Sequence, residues 1–81
     1  MLRIEDAMKA NWKDHIESTP EVLRGKPRFK GTRIPVALIL GYLAEGTAHT
    51  DILSEFPGLE EIHIAAALDF ARDLADSEVA A

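Results

Sequence analysis

Gly25-Lys26-Pro27-Arg28-Phe29-Lys30-Gly31-Thr32-Arg33-Ile34-Pro35-Val36 holds the densest punctuation in this 81-residue sequence. Pro27 to Lys30 reads as a short strand. Gly31-Thr32 is a turn signal, with glycine supplying a backbone position of positive φ. The Thr32 hydroxyl is placed to hydrogen-bond local backbone as the chain leaves the strand. Pro35, with its φ already fixed, suits the first position of a helix running to Glu45, and Gly46 suits the residue just past its end. Arg33 has no acid beside it in sequence. Its partner is therefore a distant carboxylate such as Glu45 or Asp69, or lies on another chain.

Downstream of this stretch, from Ile34 to Ala44, only Pro35 and Gly41 are not apolar. A helix apolar all round needs cover all round. A chain this short buries only about 60% of its unfolded surface. The expectation is a core helix that also forms a homodimer interface through Phe29, Val36, Ile39, Leu40, Tyr42 and Leu43, aided by the strand 27–30. Further on, residues 48–55 suit a short helix with Ile52 and Leu53 facing in and Phe56 closing it. Pro57-Gly58 breaks the chain. A longer helix then runs from Glu60 to about Asp76, with Ile64, Ala67, Leu68, Ala71 and Leu74 at helical spacing. Glu60 and Glu61 in its first turn favour the helix dipole, whereas Asp73, Asp76 and Glu78 oppose it.

Upstream, Trp12, Asp14 and Ile16 alternate with Lys13, His15 and Glu17, which predicts a short strand. Thr19-Pro20-Glu21 predicts a single helical turn over 20–24 that Gly25 ends. The organisation expected is an N-terminal extension over 1–12, one domain over 13–76 and a frayed tail over 77–81. The fold class is mainly α, three helices behind a short N-terminal β element.

Composition narrows the function. The chain is 47% apolar and 28% charged, too hydrophobic for a disordered tail. It has no cysteine, which excludes disulfides, thiol nucleophiles and cysteine metal sites. No apolar run approaches the ~18 residues of a membrane span, and the start lacks a signal-peptide core. A cytoplasmic domain with no membrane contact is expected. The net charge of −5 is unevenly spread. Residues 24–33 hold Arg24, Lys26, Arg28, Lys30 and Arg33 and no acid, while residues 45–81 hold nine acids and only Arg72. In a strand, Lys26, Arg28 and Lys30 share one face, and three like charges there suit an anionic surface opposite. The competing reading is neutralisation by the acidic C-terminal half. His15, His49 and His63 lack metal-ligand spacing, and His49 beside Asp51 reads as local capping. Nucleotide loops and serine-nucleophile motifs are absent. No catalytic residue, metal ligand or cofactor is expected.

The run Gly31-Thr32-Arg33-Ile34-Pro35-Val36, with Gly25-Lys26-Pro27 before it, resembles the signature of the small prokaryotic family catalogued as domain of unknown function 433. Asp51-Ile52-Leu53, Phe56-Pro57 and Ala67-Leu68-Asp69-Phe70-Ala71 follow in register, and His15-Ile16 and Pro20-Glu21-Val22 match upstream, so the likeness spans about residues 13–72. The resemblance implies a trihelical, homeodomain-like core behind a small β element. It also implies a VapB-like antitoxin that binds and neutralises a PIN-like nuclease, with no catalytic residue of its own. The family usually has Ser or Thr as helix caps where this chain has Ala48 and Glu60. Thr47 is expected to take over the first cap, and the second helix start is left to acids and backbone.

Two readings of the basic block follow. In the first, Arg24, Lys26, Arg28, Lys30 and Arg33 bind the acidic, Mg²⁺-holding centre of such a nuclease, where guanidinium competes with metal for carboxylates. In the second, the chain is a small DNA-binding transcriptional regulator using the same block as an arm on phosphate. The short helix, Pro57-Gly58 and longer helix do outline a helix–turn–helix. The long helix is nevertheless a poor reader of DNA, because from Glu60 to Asp76 it carries five acids and one base.

Overall fold

The computed structural model describes residues 10–77. Over these the chain is mainly helical. Strands β1 (Ile16–Glu17) and β2 (Arg28–Phe29) form a two-stranded antiparallel sheet near the N-terminus. Helices α1 (Val36–Ala44), α2 (His49–Glu55) and α3 (Glu61–Ser77) follow. The 1–12 extension lies outside the described residues except for its last three, as does the tail beyond Ser77.

The decisive stretch folds as its punctuation dictates. Ile16 stands opposite Phe29 and Glu17 opposite Arg28. Gly31 takes φ 75°. The Thr32 hydroxyl donates to the Phe29 carbonyl at 2.8 Å and accepts from the Ile34 N–H at 3.0 Å. This turn brings Ile34–Val36 back along the free edge of β2. The Phe29 N–H donates to the Ile34 carbonyl at 3.2 Å, and the Val36 N–H donates to the Pro27 carbonyl at 3.0 Å. Both edges of β2 are therefore occupied within the chain, which corrects the expectation that strand 27–30 helps a dimer form. A strand with no free edge has no backbone groups left to pair.

Pro35 is the N-cap of α1 rather than its first helical residue, because its ψ of 140° keeps it extended along β2. The helix stops at Ala44, with Glu45 as C-cap. Gly46 follows at φ 86°. Its N–H donates to the Leu43 carbonyl and the Thr47 N–H to the Tyr42 carbonyl, both at 3.0 Å. That is the paired closure expected of a left-handed glycine at a helix end. Ala48 leads α2 with no side-chain cap, so the cap expected of Thr47 does not form.

Three upstream and downstream expectations change. Trp12–Asp14 is a 3₁₀ turn capped by the Asn11 side chain, not part of a strand. Tertiary contacts override its alternation. The Trp12 indole N–H donates to Asp73 Oδ2 at 2.7 Å, and its ring stands edge-on to Phe70 at 4.9 Å. In place of a helical turn over 20–24, Leu23, Arg24 and Gly25 take φ 52°, 56° and 81° in succession. Left-handed backbone costs roughly 1–2 kcal/mol at each non-glycine residue, so the tertiary frame must hold Leu23 and Arg24 there. On α3 the buried stripe is Ile64, Ala66 and Ala67, while Leu68 and Leu74 are 47% and 49% exposed. The helix is rotated so that small alanines meet the other elements. Ile16, Phe29, Val36, Ile39, Ile52, Leu59, Ile64, Ala66 and Ala67 form one core.

Candidate partner-binding surface

The five cations of the basic block do not share one fate. Arg28 is buried, at 9% exposure. Its Nη1 lies 3.0 Å from Glu17 Oε2 and donates to the Thr32 carbonyl at 3.1 Å. Its Nη2 donates to Thr19 Oγ1 at 3.4 Å. Nε is buried with no partner. Arg28 thus binds β1, the Thr19 loop and the Gly31-Thr32 turn into one unit, which corrects its expected place on a partner-facing surface. The cause is local cover: Glu17, the Thr19 hydroxyl and the Thr32 carbonyl close over Arg28, while Lys26 and Lys30 on either side of it stay exposed.

Arg24, Lys26, Lys30 and Arg33 are exposed. Among the described residues, the ion pairs are Arg28 with Glu17, Arg72 with Asp69 and His49 with Glu61. None uses these four cations. Neutralisation by the acidic C-terminal half does not occur there: Asp69 is taken by Arg72 and by the Trp12 N–H, and Asp73 by the Trp12 indole. Neither Asp69 nor Glu45 pairs with Arg33. The left-handed turn Leu23–Gly25 carries Arg24 on its outside, and Lys30 stands at the mouth of the Gly31-Thr32 turn.

The expected dimer residues also divide. Phe29, Val36 and Ile39 are 0%, 1% and 0% exposed and belong to the chain's own core, so they are unavailable to a second copy. Leu40, Tyr42 and Leu43 are half-buried against that core. The opposite side of α1 is open: Ala37, Leu38, Gly41, Tyr42 and Glu45 line a shallow groove of about 310 Å³. Of the six residues expected at an interface, three are thus closed off by the chain's own core.

At the start of α3, His63 Nδ1 accepts from the Glu60 N–H at 2.8 Å. A side chain at the third helical position thereby satisfies the backbone donor at the cap, the role Glu or Gln plays in a capping box. This end was expected to rely on acids and backbone, and the imidazole acceptor three residues on was the signal to read. The His63 ring also stands edge-on to Phe29 at 5.7 Å and to His15 at 5.5 Å. His49 Nδ1 lies 2.6 Å from Glu61 Oε1, so it joins α2 to α3 rather than capping locally with Asp51. Trp12 was likewise missed as an anchor, because its partners lie near the far end of the chain. Among the described residues, no three His, Asp or Glu converge as a metal site would require, and no helix is long and apolar enough to cross a membrane.

Comparison with known proteins gives two findings. The family DUF433, described as protein of unknown function, matches residues 16–71. A crystal structure of a DUF433 member protein from Anabaena variabilis superposes with a TM-score of 0.72 at 29% sequence identity, over 80% of this chain and 64% of that one. The chain thus spans less than two thirds of that relative's length. No curated protein matches the sequence.

Proposed function

The chain belongs to the DUF433 family, and from that premise we propose that it is an antitoxin-type protein that binds and neutralises a PIN-like ribonuclease through its basic hairpin. One observation carries the reading. Arg24, Lys26, Lys30 and Arg33 are exposed and unpaired among the described residues of a chain whose net charge is −5. A chain with that many carboxylates can neutralise its cations internally, yet among the described residues no acid pairs with these four. Exposed cations on the two turns that flank β2 suit an anionic partner. The metal centre of a PIN-like nuclease is such a partner, since hard cations gather carboxylates around them. Arg28 serves this surface indirectly, by locking the turn that presents it.

The rival reading, a small DNA-binding regulator, is favoured by the order α2, Phe56-Pro57-Gly58 break, α3. It is opposed by exposed Glu60 and Glu61 at the end that would enter the groove, where phosphates repel them. The deciding variant is Lys26→Glu with Lys30→Glu, two exposed positions whose change leaves the core untouched. Under the antitoxin reading, the circular dichroism spectrum is unchanged. Affinity for a PIN-like nuclease that the wild-type chain binds falls at least about tenfold, and inhibition of its RNA cleavage falls with it. Wild-type affinity in the folded double variant refutes the reading. Loss of a salt-dependent affinity for duplex DNA, with nuclease binding absent from the start, transfers it to the regulator.

A further inference from the structure

We infer that the outer face of α1 is the contact with a second copy of this chain, the two helices running antiparallel with Leu38 of each seated over Gly41 of the other and Arg33 of each paired with Glu45 of the other. Three observations lead there, independently of the nuclease reading. Leu38 is 42% exposed on a face where residues 34–44 carry no charge. Val36 and Ile39, which point the other way, are already buried. Among the described residues, nothing occupies the groove between Ala37, Leu38, Gly41, Tyr42 and Glu45.

Gly41 supplies the second observation. Glycine inside a helix is destabilising by roughly 0.5–1 kcal/mol relative to alanine. Here neither backbone nor packing asks for it, because Gly41 lies within regular α1 and a Cβ built on it meets nothing within 4 Å. The gap it leaves opens outward.

The third observation selects the occupant. In an antiparallel pair, the offset that sets Leu38 against Gly41 of the second copy also sets Tyr42 against its Ala37, so a large side chain meets a small one at each position. The same offset brings Glu45, exposed at the C-cap, level with Ile34 of the second copy, within reach of the long Arg33 side chain. Arg33 has no ion-pair partner among the described residues. Size and charge complement themselves under one two-fold axis, the signature of an isologous contact. This assigns Arg33 to the second copy and leaves Arg24, Lys26 and Lys30 for another partner. A helix of nine residues spans only about 14 Å, so the interface is small and the association weak, with dissociation at roughly tens to hundreds of micromolar.

Sedimentation equilibrium of the full chain alone, from about 10 µM to about 1 mM, tests this without any nuclease. The expected result is a mass rising with concentration from 8.9 kDa toward twice that value. Gly41→Leu puts a side chain into the gap at a position where a Cβ meets nothing within 4 Å. It should leave the thermal transition of the monomer no lower than wild type and raise the dissociation constant about tenfold or more. Arg33→Glu should raise it about threefold, and Arg33→Glu with Glu45→Arg should restore it. A constant 8.9 kDa across the range overturns the inference. A dimer indifferent to Gly41→Leu overturns this face, and failure of the reciprocal exchange to recover affinity overturns the antiparallel register.

Discussion

Replacing Arg28 by Met keeps a buried, unbranched apolar stem and removes the guanidinium, so it isolates what the charge does for the fold. Three contacts are lost. The bond to Glu17 is charge-assisted at 3.0 Å, but the Glu17 side chain is 37% exposed. Water recovers part of its solvation, leaving about 1 kcal/mol. The Thr32 carbonyl loses a donor at 3.1 Å in a part-buried site, a further ~1–2 kcal/mol. The 3.4 Å contact to Thr19 is long and adds little. Against these losses, the variant no longer buries an Nε without a partner, which returns about 1 kcal/mol. The net destabilisation is about 1–2 kcal/mol. For a domain of this size that shifts the thermal midpoint by roughly 4–16 °C. Urea titration followed by circular dichroism measures it directly, and Lys26→Met, at an exposed position, serves as control with a change under about 0.5 kcal/mol. If Arg28→Met unfolds within about 0.5 kcal/mol of wild type while binding to a partner is lost, Arg28 is a recognition residue and the structural role derived for it is wrong.

Two further outcomes follow from the local hydrogen bonds. Thr32→Ala removes both the donor to the Phe29 carbonyl and the acceptor for the Ile34 N–H, so it should destabilise by about 1–3 kcal/mol. Thr32→Ser, which keeps the hydroxyl, should recover most of that in the same denaturation assay; equal losses in both variants would show that the hydroxyl is not what holds the turn. His63→Leu removes the acceptor for the Glu60 N–H and should cost about 0.5–2 kcal/mol. His63→Gln can restore the acceptor, and amide exchange at Glu60 should be fast in the first variant and slow in the second.

The basic block shows how far a sequence reading of a binding surface reaches. Its charge asymmetry was plain from residue order, and four of its five members do face solvent unpaired among the described residues. Arg28 could not be separated from them that way. Its burial depends on Glu17 and Thr19, eleven and nine residues upstream, and on the Thr32 carbonyl folding back over β2. Alternation along a strand gives the side a residue points to, and not whether remote groups cover that one position, as they do at Arg28 and not at Lys26 or Lys30. The left-handed turn at Leu23 and Arg24 left no mark in residue type, since nothing but Gly25 advertises positive φ.

Local residue chemistry specifies the three helices, the turn before them and most of their stops. Gly31, Pro35, Gly46 and Pro57-Gly58 act through the backbone of their own few residues, so their meaning survives without knowing the rest of the chain. Three helices behind a short β element, the Thr32 turn and the glycine closure of α1 were legible for that reason. Which sides of those elements face in depends instead on packing between remote segments. A helix apolar all round, as α1 is, carries no pattern to orient it. Its buried side is whichever one Phe29, Ile52 and Ile64 reach from remote parts of the chain. The same holds for α3, where packing buried Ala66 beside the expected Ile64 and Ala67 and left Leu68 and Leu74 exposed, because close approach favours small side chains.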